Sequence, residues 1–193
     1  MRPLLGALLL ASALPAGALA QPTAAPLMVT SPTITAGQPI PKPHTADGEN
    51  ISPALSWTGA PATTRSFAVV CEDPDVLLPP ANPQPFVHWV IYNIPATAQG
   101  LPANLPIDPT VAMPPAIAGA MQGPSGFRRP IYRGPAPPPG KPHHYHFIVY
   151  ALDVAGLPSG LTRAQLTDAM AGHIVGQGQL VATYERRPPT PGR

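Results

Sequence analysis

The chain has 193 residues, a formal net charge of +2, 10% charged residues, 32 prolines and one cysteine. Its length fits one domain with a full core, its near-neutral charge excludes a polyelectrolyte-type nucleic-acid binder, and a lone cysteine excludes a disulfide framework. With 44% hydrophobic residues the chain is too apolar to be disordered.

Met1-Arg2, the apolar run Leu4 to Leu14 and the small-residue site Ala18-Leu19-Ala20 form the pattern of a secretory signal peptide over residues 1–20, with the exported chain starting at Gln21. The run is too short to span a bilayer, and no later one is long enough, so a periplasmic or secreted protein is expected and not an integral membrane protein. Residues 21–26 read as a flexible leader, 27–185 as the folded domain and 186–193, RRPPTPGR, as a basic, Pro-rich, mobile tail.

Short apolar runs then recur between Pro, Gly, Asn and Asp clusters. They are Leu27 to Val29, Ala54 to Trp57, Ser66 to Cys71, Phe86 to Asn93, His144 to Leu152 and Leu180 to Tyr184. Prolines interrupt helices and ladders alike, so their concentration between these runs predicts strands joined by rigid loops, a mainly β, antiparallel domain. Cys71 ends one apolar run and reads as a buried small hydrophobe rather than a nucleophile. The Pro/Gly-rich stretch 95–142 is long for an idle connection in a compact domain. One helix is predicted: Thr162-Arg163-Ala164-Gln165 is a capping box, Leu166, Met170 and Ile174 follow on one face, and Gly172 and Gly176 mark the stop.

No nucleophile elbow, phosphate-binding loop, dinucleotide fingerprint, C-x-x-C or H-E-x-x-H occurs. Three clusters could carry chemistry. Glu72-Asp73-Pro74-Asp75 follows a strand, and its proline stiffens a turn that presents carboxylates. In Phe86 to Asn93, strand alternation places Phe86, His88, Val90 and Tyr92 on one face and Val87, Trp89 and Ile91 on the other. In Tyr132-Arg133-Gly134-Pro135 through His143-His144-Tyr145-His146, alternation puts His143 with Tyr145 and His144 with His146. Read singly, the acidic cluster is more often a solvated turn, and a histidine such as His88 between apolar neighbours is more often a satisfied structural residue than a functional one.

Together they form a recognisable series. Asn50-Ile51-Ser52-Pro53-Ala54-Leu55-Ser56-Trp57, Gly59-Ala60-Pro61, Ser66-Phe67-Ala68, Asp73-Pro74-Asp75, His88-Trp89-Val90-Ile91-Tyr92-Asn93-Ile94-Pro95, Tyr132-Arg133-Gly134-Pro135 and His143-x-Tyr145-x-Phe147 occur in order. The series resembles the bacterial, Raf-kinase-inhibitor-like branch of the phosphatidylethanolamine-binding family over about residues 27 to 184. The resemblance implies a Greek-key antiparallel β fold with a large central sheet, a smaller sheet and one or two short peripheral helices. It also implies a pocket for phosphate-like or carboxylate groups, formed by Asp73, Asp75, Phe86, His88, Gly134, Pro135, Pro137, His143 and Tyr145. The family's Gly-Pro-Cys-Pro-Pro run reads Gly134 to Pro138 with Ala136 in place of the cysteine, its Asn-Asp/Ser-Phe-Gly run reads Ser125-Gly126-Phe127-Arg128, and Ile131 replaces a glycine. The chain ends soon after Tyr184, without the C-terminal helix of eukaryotic relatives, so a more open site is expected.

In such a pocket His88 and His143 are expected to donate hydrogen bonds to an anion. The carboxylates would orient them and favour their charged form, and Arg128, Arg129 and Arg133 would steer anions. The reading is an exported anion- or phospho-ligand-binding module, not an enzyme, with no cofactor. Its expected partners are a small phosphate- or carboxylate-bearing ligand, a protein partner of the kinase- or protease-inhibitor kind, and a second copy in a homodimer. The alternatives are an enzyme using Asp73, His88 and His143 for acid–base hydrolysis, or a zinc protein built on His144-x-His146.

Overall fold

A computed structural model describes residues 24–76 and 84–186. The expected signal peptide, the start of the leader and the tail beyond Arg186 lie outside these residues.

Among the described residues nine strands form two sheets. They are β1 (Ala25–Pro26), β2 (Met28–Thr30), β3 (Leu55–Thr58), β4 (Ser66–Asp73), β5 (Phe86–Pro95), β6 (Gly100–Leu101), β7 (Met121–Gln122), β8 (His143–Leu152) and β9 (Ile174–Tyr184). The large sheet has the order β1-β9-β8-β4-β5-β7 and the small sheet β2-β3-β6. All pairings are antiparallel except β1 with β9, which makes the large sheet mixed. Ala25 and Pro26, expected in the loose leader, are therefore part of the sheet, and Leu27 continues the attachment by donating to the Gln177 carbonyl at 2.9 Å.

Alternation along β4 and β8 gives the large sheet two apolar faces. One carries Phe67, Val69, Trp89, Ile91, Phe147 and Val149 and packs on Val29, Leu55, Trp57 and Leu101 of the small sheet. The other carries Val70, Val90, Tyr92, Ile148 and Tyr150 and is covered by Leu166 and Met170 of α1 (Arg163–Met170). Helix α1 starts at the predicted capping box, with both reciprocal Thr162–Gln165 interactions present. It stops earlier than its apolar spacing suggested. Ile174 opens β9 instead of closing a helix face, because the chain turns at Met170 to Gly172, and Gly172 takes φ +79°.

Two irregularities in β5 matter for the site. Cys71 pairs with Trp89 but Glu72 pairs with Val87, so His88 is an extra residue in the strand, a β-bulge. The bulge places Phe86 and His88 with Trp89 and Ile91 on the inner face. Val87 faces outward with Val90 and Tyr92. Simple alternation, which grouped His88 with Val90 and Tyr92, fails at this point for that reason. The second irregularity is at Asn93, where φ is +55° and the side-chain amide exchanges hydrogen bonds with the Leu157 backbone at 2.8 and 2.9 Å.

Candidate anion-binding site

The inner-face ends of β4, β5 and β8 converge beside the loop that follows β7. There a pocket of about 360 Å³ opens, with Asp73, Phe86, His88 and Tyr145 as its floor and Phe127, Arg133, Gly134 and Pro137 in its wall. Val76, Ala136, Pro138 and Arg186 complete the lining.

The wall loop is held from below. Gly134 lies so close to His44 and Thr45 that a Cβ would sit 2.1 Å from the His44 carbonyl oxygen, so only glycine fits. The Gly134 N–H donates to Asn50 Oδ1 at 2.8 Å, and the Tyr132 hydroxyl donates to the His44 carbonyl at 2.6 Å. The Pro135 carbonyl accepts from the Ala46 N–H at 2.9 Å. Asn50 itself adopts φ +59°, which asparagine tolerates better than most residues. The expected Gly134-Pro135-Pro137 segment is thus a rigid wall fixed by His44 and Asn50, whose roles sequence reasoning missed. Of these two only Asn50 stands in the family-like series.

His88 is 5% exposed. Its Nδ1 lies 2.6 Å from the Arg133 carbonyl oxygen, and the Arg133 N–H donates back to the His88 carbonyl at 3.1 Å. A carbonyl can only accept, so Nδ1 carries the proton and Nε2 of the neutral ring is left as an acceptor. Burial pulls the imidazole below its ordinary pKa of 6.5. The Arg133 carbonyl and Asp73 oppose this shift, His143 and Arg133 reinforce it, and the net direction is down. Asp73 favours a charged His88, as expected, but removing the ring from water outweighs it. The aromatic surround explains the dryness. The rings of Phe86, Tyr145 and Phe127 stand 5.2, 5.1 and 5.9 Å from that of His88, all edge to face.

The two acidic residues divide their work. Asp73, 1% exposed, accepts from His143 Nδ1 at 2.8 Å through one oxygen and from the Asp75 N–H at 2.8 Å through the other. Burial and the Asp73 carboxylate push the Tyr145 phenol well above its usual range, so its proton stays on. Asp75 turns away from the pocket. Its Oδ2 accepts from the backbone N–H of His144 at 2.7 Å and lies 2.8 Å from His144 Nδ1. Burial alone would raise the Asp75 carboxyl, but these bonds outweigh it and hold the pKa below the ordinary value. His143 sits behind Asp73 and orients it rather than lining the pocket, and Pro135 lies within the wall. Asp73, Phe86, His88, Gly134, Pro137 and Tyr145 thus meet at one surface, while Asp75, Pro135 and His143 support it.

The cations at the rim were less legible. The Arg133 guanidinium lies 4.7 Å from the centre of the Phe127 ring, a cation–π contact, and makes no ion pair among the described residues. Phe127 is presented by a tight loop in which Ser125 bonds to the Arg129 backbone and Arg128 takes φ +59°. Arg186, expected in a mobile tail, is bound to Asp47 by its Nε at 2.9 and 3.0 Å, which holds the Asp47 carboxyl below its ordinary pKa. His144 and His146 engage Asp75 and Gln179. Among the described residues no group of three or more His, Cys, Asp and Glu is placed to hold a metal ion.

A larger cavity of about 670 Å³ opens on the outer face of the same sheet, between Val87, Ser125 and α1. Its arginine is already paired: Arg163 Nε donates to Glu72 at 3.0 Å, and Asp168 adds a second carboxylate to the lining. Of these two, it is the smaller pocket that combines a buried imidazole acceptor, a buried phenol and an arginine without an ionic partner among the described residues.

This strand order, site and wall define a β-sandwich with a small pocket at the strand ends of its large sheet. The chain belongs to the phosphatidylethanolamine-binding protein family, whose sequence profile matches residues 30–185. It is 42% identical over 148 residues to a UPF0098 protein of Methanothermobacter thermautotrophicus, covering 76% of this chain and 91% of that one. It is 37% identical over 162 residues to a UPF0098 protein of Chlamydia pneumoniae, covering 83% and 99%. Its structure is similar to that of Escherichia coli YbcL, described as a member of the mammalian PEBP family. The TM-score is 0.73 at 34% identity, over 83% of this chain and 99% of the other. A phosphatidylethanolamine-binding protein homologue of Chlamydia trachomatis gives a TM-score of 0.70 at 34% identity, over 84% and 98%.

Proposed function

We propose that this protein is an exported binding module that holds a small phosphate- or carboxylate-bearing ligand in the His88 pocket. The single observation that carries this reading is Arg133. It is a guanidinium at the pocket's edge, fixed on Phe127, with its charge uncompensated by any described carboxylate. A cation beside a dry, aromatic floor attracts an oxyanion more strongly than the same cation in open water. Tyr145 keeps its proton at neutral pH, and the Asp73 carboxylate is positioned to accept from an ammonium or hydroxyl at the other end of the ligand. The relatives' family name points to phosphoethanolamine-type head groups, which carry both charges. The export half of the proposal rests on the charged start, short apolar run and Ala18-Leu19-Ala20 site alone.

Calorimetric titration with phosphoethanolamine tests the proposal. Saturable binding at one site is expected, and Arg133→Gln should weaken it about tenfold, the scale of one charge-assisted contact. Absence of saturable binding in the native protein, or an Arg133→Gln variant that binds as well as the native one, would overturn it.

A further inference from the structure

The pocket's floor carries more information about its ligand than an attraction for negative charge. His88 Nδ1 is committed as a donor to the Arg133 carbonyl at 2.6 Å. Nε2 has no partner in the protein, yet it is not sealed off: among the described residues the only buried polar side-chain atom without a hydrogen bond is Trp57 Nε1. A neutral imidazole fixed in this way offers a ligand a lone pair, not a proton. Beside it Asp73 is also an acceptor, with each oxygen already taking one hydrogen bond. A fully deprotonated oxyanion at this floor would set lone pairs against a lone pair.

We infer that the pocket selects oxyanions that carry a proton of their own, namely monoprotonated phosphomonoesters and phosphonates, and discriminates against sulfonates and sulfate esters of the same shape and charge. This deepens the binding function proposed above and rests on it. The ligand's P–O–H donates to His88 Nε2, while its charged oxygens face Arg133 and the pocket's donors. A sulfonate has no such proton, so its binding requires His88 to take one up from solvent. The groups facing His88 set the cost of that uptake. Asp73 from β4 favours it. His143 from β8 and Arg133 from the wall oppose it, and Arg186 is already paired with Asp47. Tyr145 stays neutral. Burial is the largest of the opposing causes. A site built around a hydrogen bond from its ligand rejects the analogue lacking that donor, because the acceptor is left unpaired and dry.

Methylphosphonate and methanesulfonate share one skeleton and test the inference. Each is titrated calorimetrically into the full chain at about pH 6.5, the ordinary histidine value, in two buffers of different ionisation enthalpy, so that proton uptake is counted. The phosphonate should bind at least about tenfold more tightly, and sulfonate binding should draw more protons from the buffer than phosphonate binding does. His88→Gln, whose amide can donate as well as accept, should bring the two affinities to within about threefold. Equal affinities in the native protein overturn the inference whatever the proton count, as does discrimination that survives His88→Gln. If that variant does not fold, the native affinity ratio decides alone. Failure of both probes to bind would instead overturn the pocket assignment itself, and the inference with it.

Discussion

Replacing Gly134 by alanine should break the pocket wall. The new Cβ would lie 2.1 Å from the His44 carbonyl oxygen, 2.9 Å from its carbon and 2.8 Å from Thr45 Cα, where ordinary contact begins near 3.4 Å. All three neighbours are backbone, so no side chain can rotate away, and relief requires more than about 1 Å of main-chain separation. That movement pulls the Gly134 N–H from Asn50 and stretches the Tyr132 to His44 bond. Overpacking costs about 1–3 kcal/mol, and loss of the two bonds adds about 1 kcal/mol each, so a loss of about 3–5 kcal/mol or local expulsion of the wall is expected. Gly140 supplies the control. It lies in the same connection at φ +136°, and a Cβ added there would meet nothing within 4 Å, so Gly140→Ala carries backbone strain only, about 1–3 kcal/mol. Urea unfolding followed by fluorescence gives both values, and phosphonate titration of the folded variants reports the pocket. If Gly134→Ala is no more destabilising than Gly140→Ala and binds ligand normally, the close approach to His44 is not what shapes the wall.

Three further outcomes are expected. Cys71 is fully buried, and burial together with Glu72 and Asp73 raises its thiol pKa, so the native protein should resist thiol reagents until unfolded; rapid labelling would contradict its placement. His88 has a folded pKa below its unfolded value, so its contribution to stability is intact above about pH 6.5 and falls as acid protonates the unfolded chain preferentially; in unfolding titrations His88→Gln should flatten the loss of stability just below that pH, and an unchanged slope would refute the assignment. Asn93→Ala removes both bonds to Leu157 and forces φ +55° on alanine, which should cost about 2–3 kcal/mol in chemical denaturation, whereas Asn93→Gly should recover part of the loss.

Much of the fold was legible because it rests on local chemistry. Proline and glycine bound most of the strands, and the Thr162–Gln165 box starts the helix where its hydrogen bonds require. The site was legible in its residue types and less so in its orientations. His88 shares its face with Phe86 as alternation expects, but the bulge at that residue separates it from Val90 and Tyr92, and a bulge leaves no periodic signal. The net direction of the His88 pKa was not legible because a sequence shows the nearby aspartates but not the Arg133 carbonyl or the ring of aromatic side chains that dries the floor. Asp75 and His143, expected among the ligand-binding residues, lie outside the pocket's lining, and each is bonded to a partner, His144 and Asp73. Nothing in the spacing of His44 and Asn50 announces that they hold a glycine more than 80 residues away; such contacts exist only once the sheets close.

The central claim is that ligand binds at the inner-face pocket and not in the larger outer cavity. The most direct measurement is a two-dimensional amide NMR titration of the full chain with inorganic phosphate. Saturable shifts centred on His88, Phe127, Arg133, Gly134 and Tyr145, with Val87, Arg163 and His144 shifting little, are the predicted result. Shifts centred instead on Val87, Ser125, Arg163 and Thr167, the walls of the outer cavity, would contradict the account.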